Sequence, residues 1–415
     1  MTDPSGPAPG IAVFHPDSPS AWRRLRLALA IGTVGSIGLW SVVLVMPMVQ
    51  ADLGGTRGEA SLAYTATMVG FGLGGVLTGR LTDRLGIVPA MGLGIVSLVF
   101  GFLVAAASMA LWQFAAACLF VGLGASATFA PLMAEASHWF VRRRGIAIAI
   151  AGTGYYLSGA LWPPLIEHSL GAYGWRGVHI ALALLCGTVM AGLVLVLRSV
   201  AGRAPRKLEV SHAPPGVDLG LGANAITAIL SIASFTCCVA MAVPQVHIVA
   251  LCFELGYGTA SGAGMLSVML AFAVLSRIGT GFIADRLGGL GALLIGSLAQ
   301  ASALSMYLAF DGLTSLYVVS ALFGLFHGGI VPCYAIIVRE TMPAQDAAAR
   351  VGTVIMVSLV GMAFGGWIAG TIFDRAGSYD AAFLNALAWN MANAAIVLLL
   401  LARARGRALR NVSSN

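Results

Sequence analysis

The chain has 415 residues, of which 59% are hydrophobic and only 9% are charged, and its mean hydropathy is +0.91. A soluble globular protein carries about 25% charged residues, so these charges are too few to cover a soluble surface. The net charge of +7 does not indicate nucleic-acid binding, because the basic residues are scattered between apolar segments and do not form one soluble face.

The apolar segments have the length of membrane-spanning helices. A hydrocarbon core about 30 Å thick requires roughly 20 apolar residues of α-helix, and eleven stretches of about that length or more contain no Asp, Glu, Lys or Arg. In chain order they are 27–51, 60–79, 85–134, 145–166, 177–197, 219–253, 255–276, 287–310, 312–338, 351–373 and 381–402. The stretch 85–134 is long enough for two helices with a turn near Ser108–Gln113. The sequence therefore predicts an all-α membrane protein with twelve transmembrane helices, which we number as spans 1 to 12.

A polar segment divides the twelve spans into two groups of six. Residues 199–220 contain three prolines and predict a cytoplasmic linker between an N-terminal six-helix bundle at 21–198 and a C-terminal one at 221–403. Residues 1–20 are rich in Pro, Gly and Ser, a composition that predicts a disordered cytoplasmic N-terminus. Residues 404–415 are predicted to form a basic cytoplasmic tail.

A short internal repeat relates the two groups. Residues 79–86 read GRLTDRLG and residues 281–288 read GFIADRLG, with five of eight positions identical. Each copy lies at the end of the second span of its group. Parallel repeats of this kind predict two pseudo-symmetric six-helix bundles.

The distribution of basic residues predicts the orientation in the membrane. If both termini are cytoplasmic, 19 of the 23 Lys and Arg residues lie on the cytoplasmic side, and only Arg57, Arg176 and Arg375 lie outside. This positive-inside bias predicts a multi-pass protein of a bacterial inner (plasma) membrane with cytoplasmic N- and C-termini. The remaining basic residue, Arg277, belongs to neither side.

Several segments resemble a known family of membrane transporters. Gly79, Asp83, Arg84 and Gly86 match the loop motif that follows the second helix in the major facilitator superfamily, although Ile87 and its neighbour replace the usual basic residues. Other segments resemble the monocarboxylate transporter branch and its bacterial relatives. They are WFVRRRGIAIAIAGTGYYLSG at 139–159, GWR at 174–176, VPQVHIVALCFELG at 243–256, LSRIGTGFIAD at 275–285 and GGIVPCYAIIVRE at 328–340. The resemblance covers nearly the whole chain and implies the major facilitator fold.

Arg277 is the first candidate for a substrate site. We expect Asp285 at the cytoplasmic membrane boundary, which places Arg277 about 12 Å deeper, near the midplane. A guanidinium at this depth needs a cavity or a partner, and it can hold a carboxylate with two parallel hydrogen bonds. The resemblance also implies a substrate-carboxylate role for this arginine. The structural alternatives are an ion pair with Glu135 and a side chain that extends toward the lipid surface.

Two positions depart from the monocarboxylate transporter branch. Ala273 stands where the branch has an acidic residue four positions before the arginine, and Trp40 and Ser41 are nearest to the position where span 1 often carries a lysine. The identity of the acid and the route of the proton therefore stay open.

Proton coupling requires a group that titrates, which arginine does not. Glu135 in span 4, His247 in span 7 and His327 in span 10 are the candidates within spans. We select Glu135 and His247 for proton coupling, and His247 and His327 for contact with the substrate. The structural alternatives are a hydrogen bond from each histidine to a backbone carbonyl and an ion pair between Glu135 and a nearby arginine.

Aromatic residues complete the predicted site. Tyr155 and Tyr156 in span 5 offer hydroxyl groups to a small anion, while Trp40 in span 1 and Tyr334 in span 10 are candidates for a cavity wall. Aromatic residues in spans also serve in packing or in the interfacial belt, which is the alternative for each of them.

The two copies of the repeat predict a gate. Asp83, Arg84, Asp285 and Arg286 lie at the cytoplasmic ends of spans 2 and 8, where the carboxylates can meet the N-termini of neighbouring helices. The resemblance implies that such contacts favour the outward-open state and break when the protein opens inward.

These features predict a secondary transporter that moves a small monocarboxylate, lactate-like or pyruvate-like, by alternating access together with a proton. The alternatives are a carboxylate exchanger of the oxalate/formate type, an exporter of a larger amphipathic compound and a non-transporting receptor. No GxxxxGKS or GxxxxGKT motif is present, and we expect neither an enzyme nor a cofactor. The six cysteines lack metal-ligand spacing. The expected partners are a small organic anion, H+ and membrane lipids, with no nucleic acid, and the expected state is a monomer.

Overall fold

A computed structural model describes residues 17–199 and 216–413. The predicted disorder of the N-terminus and most of the predicted linker lie outside these residues, so both stay predictions. Within the described residues the chain is helical throughout and contains no strand.

The described part of the first half, up to Ser199, contains six spans. Span 1 consists of two helices that meet at Ser36, and the helix that forms span 5 continues into span 6 through a break at Gly174. The helices are Pro19–Gly35 and Ile37–Leu53 (span 1), Arg57–Leu85 (span 2), Ile87–Ala106 (span 3), Leu111–Ser126 and Ala130–Trp139 (span 4), and Arg144–Leu185, Cys186–Met190 and Ala191–Ser199 (spans 5 and 6).

The described part of the second half, from residue 216 onward, repeats this order. Spans 8 and 9 form one long helix that is broken at Gly288. The helices are Ala223–Glu254 (span 7), Gly258–Ala309 (spans 8 and 9), Leu313–His327 and Ile330–Thr341 (span 10), Ala344–Ala376 (span 11) and Asp380–Ser413 (span 12). Ten segments of the described chain are long and apolar enough to cross a membrane. Two of them contain the breaks at Gly174 and Gly288, so the twelve predicted spans are confirmed.

The internal repeat ends at the same backbone feature in both halves. Gly86 has φ 90° and Gly288 has φ 74°, conformations that residues with a Cβ atom rarely adopt. Each glycine turns the chain from the second span of its half into the third. The glycine that closes each copy of the repeat is therefore explained by the turn that it makes.

Spans 4 and 10 are interrupted at matching positions. The helices of span 4 stop at Ser126 and resume at Ala130, and those of span 10 stop at His327 and resume at Ile330. Irregular backbone within a membrane is tolerated where it is buried in protein or lines a cavity. The two interruptions therefore indicate where polar backbone atoms become available at the centre of the bundle.

The two halves are in contact near one end of the bundle. We call the end where span 1 begins and span 12 finishes the termini side, and the opposite end, where span 2 begins, the Arg57 side. Near the Arg57 side, Thr65 of span 2 donates a hydrogen bond of 2.8 Å to the carbonyl oxygen of Ala363 in span 11. Farther along, a Cβ atom on Gly72 would lie 3.0 Å from Sδ of Met356. On the termini side, two glycines of these spans have nothing within 4 Å of a Cβ atom: Gly79 and Gly352. The space beside these two glycines is therefore open.

Candidate functional site

Arg277 lies at the interface between the two halves. Its Nη1 atom donates a hydrogen bond of 3.3 Å to the carbonyl oxygen of Gly152 in span 5, and its Cζ atom lies 5.4 Å from the centre of the Tyr156 ring. A Cβ atom on Gly152 would lie only 3.3 Å from Nη2 of Arg277, so the glycine leaves room for the guanidinium. Because span 5 belongs to the first half and span 8 to the second, Arg277 joins the halves.

The guanidinium of Arg277 has no carboxylate partner among the described residues, whose ion pairs involve other arginines. Glu135, the partner considered from the sequence, is instead paired with Arg24. The side chain of Arg277 is partly exposed, and a guanidinium has five N–H donors. Most of the donor capacity of Arg277 is therefore available to a ligand.

Three predicted aromatic residues form a wall beside Arg277, which we call the aromatic wall: Trp40, Tyr155 and Tyr156. The Trp40 indole N–H donates to the Tyr155 carbonyl oxygen at 3.1 Å. The Tyr155 ring lies 5.1 Å from each of the Trp40 and Tyr156 rings, measured between ring centres. The Tyr156 hydroxyl donates to the carbonyl oxygen of Gly328, at the interruption of span 10, at 3.3 Å. The structure therefore brings these three residues together with Arg277.

His327 contacts the aromatic wall through Tyr156. Its ring centre is 6.2 Å from that of Tyr156, its Nδ1 atom lies 2.8 Å from the carbonyl oxygen of Phe323, and its Nε2 atom lies 2.9 Å from Nε2 of Gln245 in span 7. Gln245 was not among the site residues predicted from the sequence. The available signal was an amide side chain two residues before His247 in a mainly apolar span.

Close packing at the interruption of span 10 fixes the position of span 8. The backbone N–H of Gly329 donates to Oγ of Ser276 at 3.1 Å, next to Arg277. A Cβ atom on Gly328 would lie 2.7 Å from the Cα atom of Ala273. Ala273 is fully buried in this contact, so the position where the resembling branch has an acidic residue leaves no room for a longer side chain.

His247 lies in a different place, in a polar cluster on the Arg57 side. Its Nε2 atom lies 2.8 Å from the Gly366 carbonyl oxygen, and its Nδ1 atom lies 3.1 Å from the Tyr379 hydroxyl. Arg57 of span 2 donates to that hydroxyl at 3.0 Å and pairs with Glu254 at 2.7 Å.

The same cluster holds the beginning of span 2. The Asp374 carboxylate at the end of span 11 accepts the backbone N–H groups of Arg57 at 2.8 Å and of Gly58 at 2.7 Å. A carboxylate at a helix N-terminus is favoured by the unpaired N–H groups and by the helix dipole. We call this cluster the Arg57 latch: Arg57, His247, Glu254, Asp374 and Tyr379. It joins the first half to the second, and the sequence had marked it only by His247 and by an arginine on the sparsely charged side.

Glu135 and Tyr334 lie within single halves. Glu135 pairs with Arg24 and accepts the Trp139 indole N–H at 2.9 Å, all within the first half. Tyr334 donates to Oδ1 of Asn393 at 2.8 Å, and the amide of Asn393 donates to Oγ of Ser297 at 2.6 Å, inside the second half. The structure brings neither residue into contact with Arg277.

The four predicted gate residues lie on the termini side. Asp83, Arg84, Asp285 and Arg286 are all exposed. In the described part of the chain, no ion pair or side-chain hydrogen bond joins any of them to another residue. Their role as gate residues stays a prediction.

Comparisons with known proteins agree with the fold. The sequence profile of the Major Facilitator Superfamily matches residues 28–315. Monocarboxylate transporter 13 of Bos taurus is 25% identical over 384 residues, covering 90% of this chain and 86% of the relative. The Agnestins efflux protein AgnL12 of Paecilomyces divaricatus is 25% identical over 292 residues, covering 69% of this chain and 65% of the relative. A crystal structure of the nucleoside transporter NupG, solved as a point mutant, has a TM-score of 0.72 at 14% identity, covering 91% of this chain and 99% of that one. At that identity the likeness concerns the fold alone.

Proposed function

We propose that this chain, which belongs to the Major Facilitator Superfamily, is a secondary active transporter that moves a small monocarboxylate together with a proton. It is a multi-pass membrane protein, and transport is the activity of its family. The substrate class is the proposal, and it rests on the chemistry of Arg277 and on the similarity to a protein named as a monocarboxylate transporter. A bacterial inner-membrane location and a monomeric state stay predictions.

The observation that carries the proposal is the unpaired guanidinium at the interface of the halves. Arg277 donates a hydrogen bond to one backbone carbonyl, and its guanidinium lies over the ring of Tyr156. The guanidinium stays charged at any relevant pH. A single uncompensated positive charge between the halves selects an anion, and the planar guanidinium matches the two oxygens of a carboxylate. The aromatic wall lies beside this guanidinium.

We infer alternating access from the difference between the two ends of the bundle. The Arg57 latch closes one end, and the gap beside Gly79 and Gly352 opens the other. We place the termini side in the cytoplasm, as the positive-inside bias predicts, which makes this conformation open inward. In the opposite conformation, the latch releases and Asp83 and Asp285 make the contacts that close the termini side.

We assign proton coupling to His247 in the Arg57 latch. A neutral His247 that donates from Nε2 to the Gly366 carbonyl accepts the Tyr379 hydroxyl at Nδ1. A proton on Nδ1 removes this acceptor and places a positive charge in the cluster that contains Arg57. Protonation would therefore weaken the latch. Glu135, paired with Arg24 on the termini side, is the second candidate for proton coupling.

Export of a larger amphipathic compound is the second candidate function. The observation that favours it is the fungal relative named as an efflux protein, which has the same 25% identity as the monocarboxylate transporter but over 69% of this chain instead of 90%. Such a substrate would rely mainly on the aromatic wall, so its transport would depend weakly on Arg277.

The test is uptake of labelled lactate, pyruvate and acetate into proteoliposomes, with and without an inward proton gradient. We expect gradient-driven uptake by the wild type, loss of uptake in Arg277→Ala, and normal uptake in Arg176→Ala. Arg176 is the matched control because it is paired with Asp52 within the first half, at 2.5 Å. Uptake that needs a second carboxylate inside the vesicle and ignores the proton gradient would establish exchange. Uptake of none of the acids, or uptake indifferent to Arg277, would contradict the carboxylate assignment.

A further inference from the structure

A buried hydrogen-bond acceptor has no partner at the centre of the bundle. Gln245 is only 2% exposed, and within the described chain its Oε1 atom has no hydrogen-bond partner. A buried polar atom without a partner destabilises a protein by about 1–3 kcal/mol. Such an atom is a candidate ligand contact where other groups with free hydrogen-bonding capacity lie nearby.

His327 fixes the direction in which this acceptor points. The Nδ1 atom of His327 lies 2.8 Å from the Phe323 carbonyl oxygen, and a carbonyl only accepts, so Nδ1 carries the proton. In a neutral imidazole the other nitrogen is then an acceptor. The Nε2 atom of His327 accordingly accepts from the Gln245 amide at 2.9 Å. This contact turns the NH₂ group of Gln245 toward the ring and leaves its oxygen free.

The unpaired oxygen belongs to the same region as Arg277. Tyr156 contacts both Arg277, whose Cζ atom lies 5.4 Å from its ring centre, and His327, whose ring centre lies 6.2 Å away. The Tyr156 hydroxyl is occupied by the Gly328 carbonyl. The groups with free hydrogen-bonding capacity near this tyrosine therefore include a donor set on Arg277 and an acceptor on Gln245.

We propose, building on the carboxylate transport proposed above, that Gln245 is a specificity residue that accepts a hydrogen bond from a hydroxyl group of the substrate. The transported acid is then a hydroxy-monocarboxylate, with Arg277 on the carboxylate and Gln245 on the hydroxyl. A keto oxygen has no proton to donate, and an ammonium group would add a second positive charge near Arg277. His327 acts on Gln245 as a positioning residue.

A second buried glutamine provides a matched control. Gln300 is fully buried in span 9, and its Nε2 atom also has no partner among the described residues. Its other amide atom lies 3.9 Å from Sγ of Cys237, within the second half and without contact to the aromatic wall. Replacement of Gln300 therefore removes a buried amide without changing the proposed subsite.

The experiment measures equilibrium binding of butyrate and its three hydroxybutyrate isomers to the purified full-length protein. The variants are wild type, Gln245→Met, Gln245→Asn, Gln300→Met and Arg277→Ala, each first checked for monodisperse elution. We expect the wild type to bind at least one hydroxy isomer about tenfold more tightly than butyrate, the effect of one hydrogen bond to a buried acceptor. Both Gln245 variants should lose this preference and keep the affinity for butyrate, whereas Gln300→Met should keep both.

The outcomes distinguish the hydroxyl subsite from the carboxylate site on which it depends. The hydroxyl subsite alone is overturned if Arg277→Ala abolishes binding and the wild type binds butyrate and all three isomers equally. It is also overturned alone if Arg277→Ala abolishes binding and either Gln245 variant elutes normally with an unchanged preference for the hydroxy isomer. Failure of the wild type to bind any of the four acids, or binding that does not depend on Arg277, overturns the carboxylate site and the hydroxyl subsite together.

Discussion

Charged side chains are paired differently at the two ends of the bundle. On the Arg57 side, Arg57 and the first N–H groups of span 2 are held by Glu254, Asp374 and Tyr379 of the other half. On the termini side, the paired charges stay within one half, as in the ion pair between Arg24 and Glu135. Asp83 and Asp285 of the repeat are exposed there without a partner in the described chain.

This difference indicates what decides the conformation. Several polar contacts between the halves on the Arg57 side are charge-assisted, the stronger kind of hydrogen bond. An equilibrium between two packings shifts when a few contacts made in only one of them are lost. We therefore propose that the Arg57 latch determines which end is open, so weakening it should favour closure of the termini side.

The largest expected effect is that of Arg57→Ala. The substitution removes the ion pair to Glu254 and the hydrogen bond to Tyr379, and it leaves Glu254 without its partner. We expect a cysteine introduced at Gly352, on the open termini side, to react with a water-soluble maleimide about tenfold more slowly, because that side closes. The six natural cysteines are buried and should contribute little background.

Arg176→Ala is the control for that measurement. It removes an arginine on the same side whose partner, Asp52, belongs to its own half. Equal labelling rates in wild type, Arg57→Ala and Arg176→Ala would show that the Arg57 latch does not control opening.

A smaller effect is expected for Asp374→Asn. The amide oxygen can still accept one of the two backbone N–H groups, but the negative charge at the N-terminus of span 2 is lost. That charge is worth up to about 1 kcal/mol at a helix end, so labelling at Gly352→Cys should slow by about threefold to fivefold. Asp374→Glu keeps the charge and should lie closer to wild type. A larger effect for Asp374→Asn than for Arg57→Ala would reverse the order proposed here.

The smallest effect is expected for Asp285→Asn in the wild-type background. Its carboxylate makes no contact in the conformation described here, so labelling at Gly352→Cys should not change. In the Arg57→Ala background the same substitution should restore part of the lost labelling, because the proposed gate then loses a contact that closes the termini side. Labelling that is unaffected by Asp285→Asn in both backgrounds would argue against a gate role for this residue.

The sequence was sufficient to predict the spans because their signal is long and repetitive. Charge-free stretches located all twelve spans, and the repeat marked the turns at Gly86 and Gly288. The depth of Arg277, inferred from its distance to Asp285 along a helix, stays a prediction. These inferences need only the rise per residue and the thickness of a membrane.

The sequence was not sufficient to predict which polar side chains face the site. Gln245 and His247 are two residues apart in span 7, and a helix turns about 100° per residue. Gln245 therefore reaches His327, while His247 points to Tyr379 and Gly366. The sequence does not give the rotation of span 7 about its axis. The prediction therefore selected His247 and omitted Gln245. The contacts of Arg57 depend on span 11, which is about 300 residues away in the chain.

The most direct test of the account is a pair of distances measured in the same protein. Spin labels at Gly79 and Gly352 report the termini side, and labels at Ala51 and Ala376, both exposed, report the Arg57 side. Double electron–electron resonance should show that Arg57→Ala shortens the first distance and lengthens the second. Two distances that stay unchanged, or that change in the same direction, would contradict alternating access controlled by the Arg57 latch.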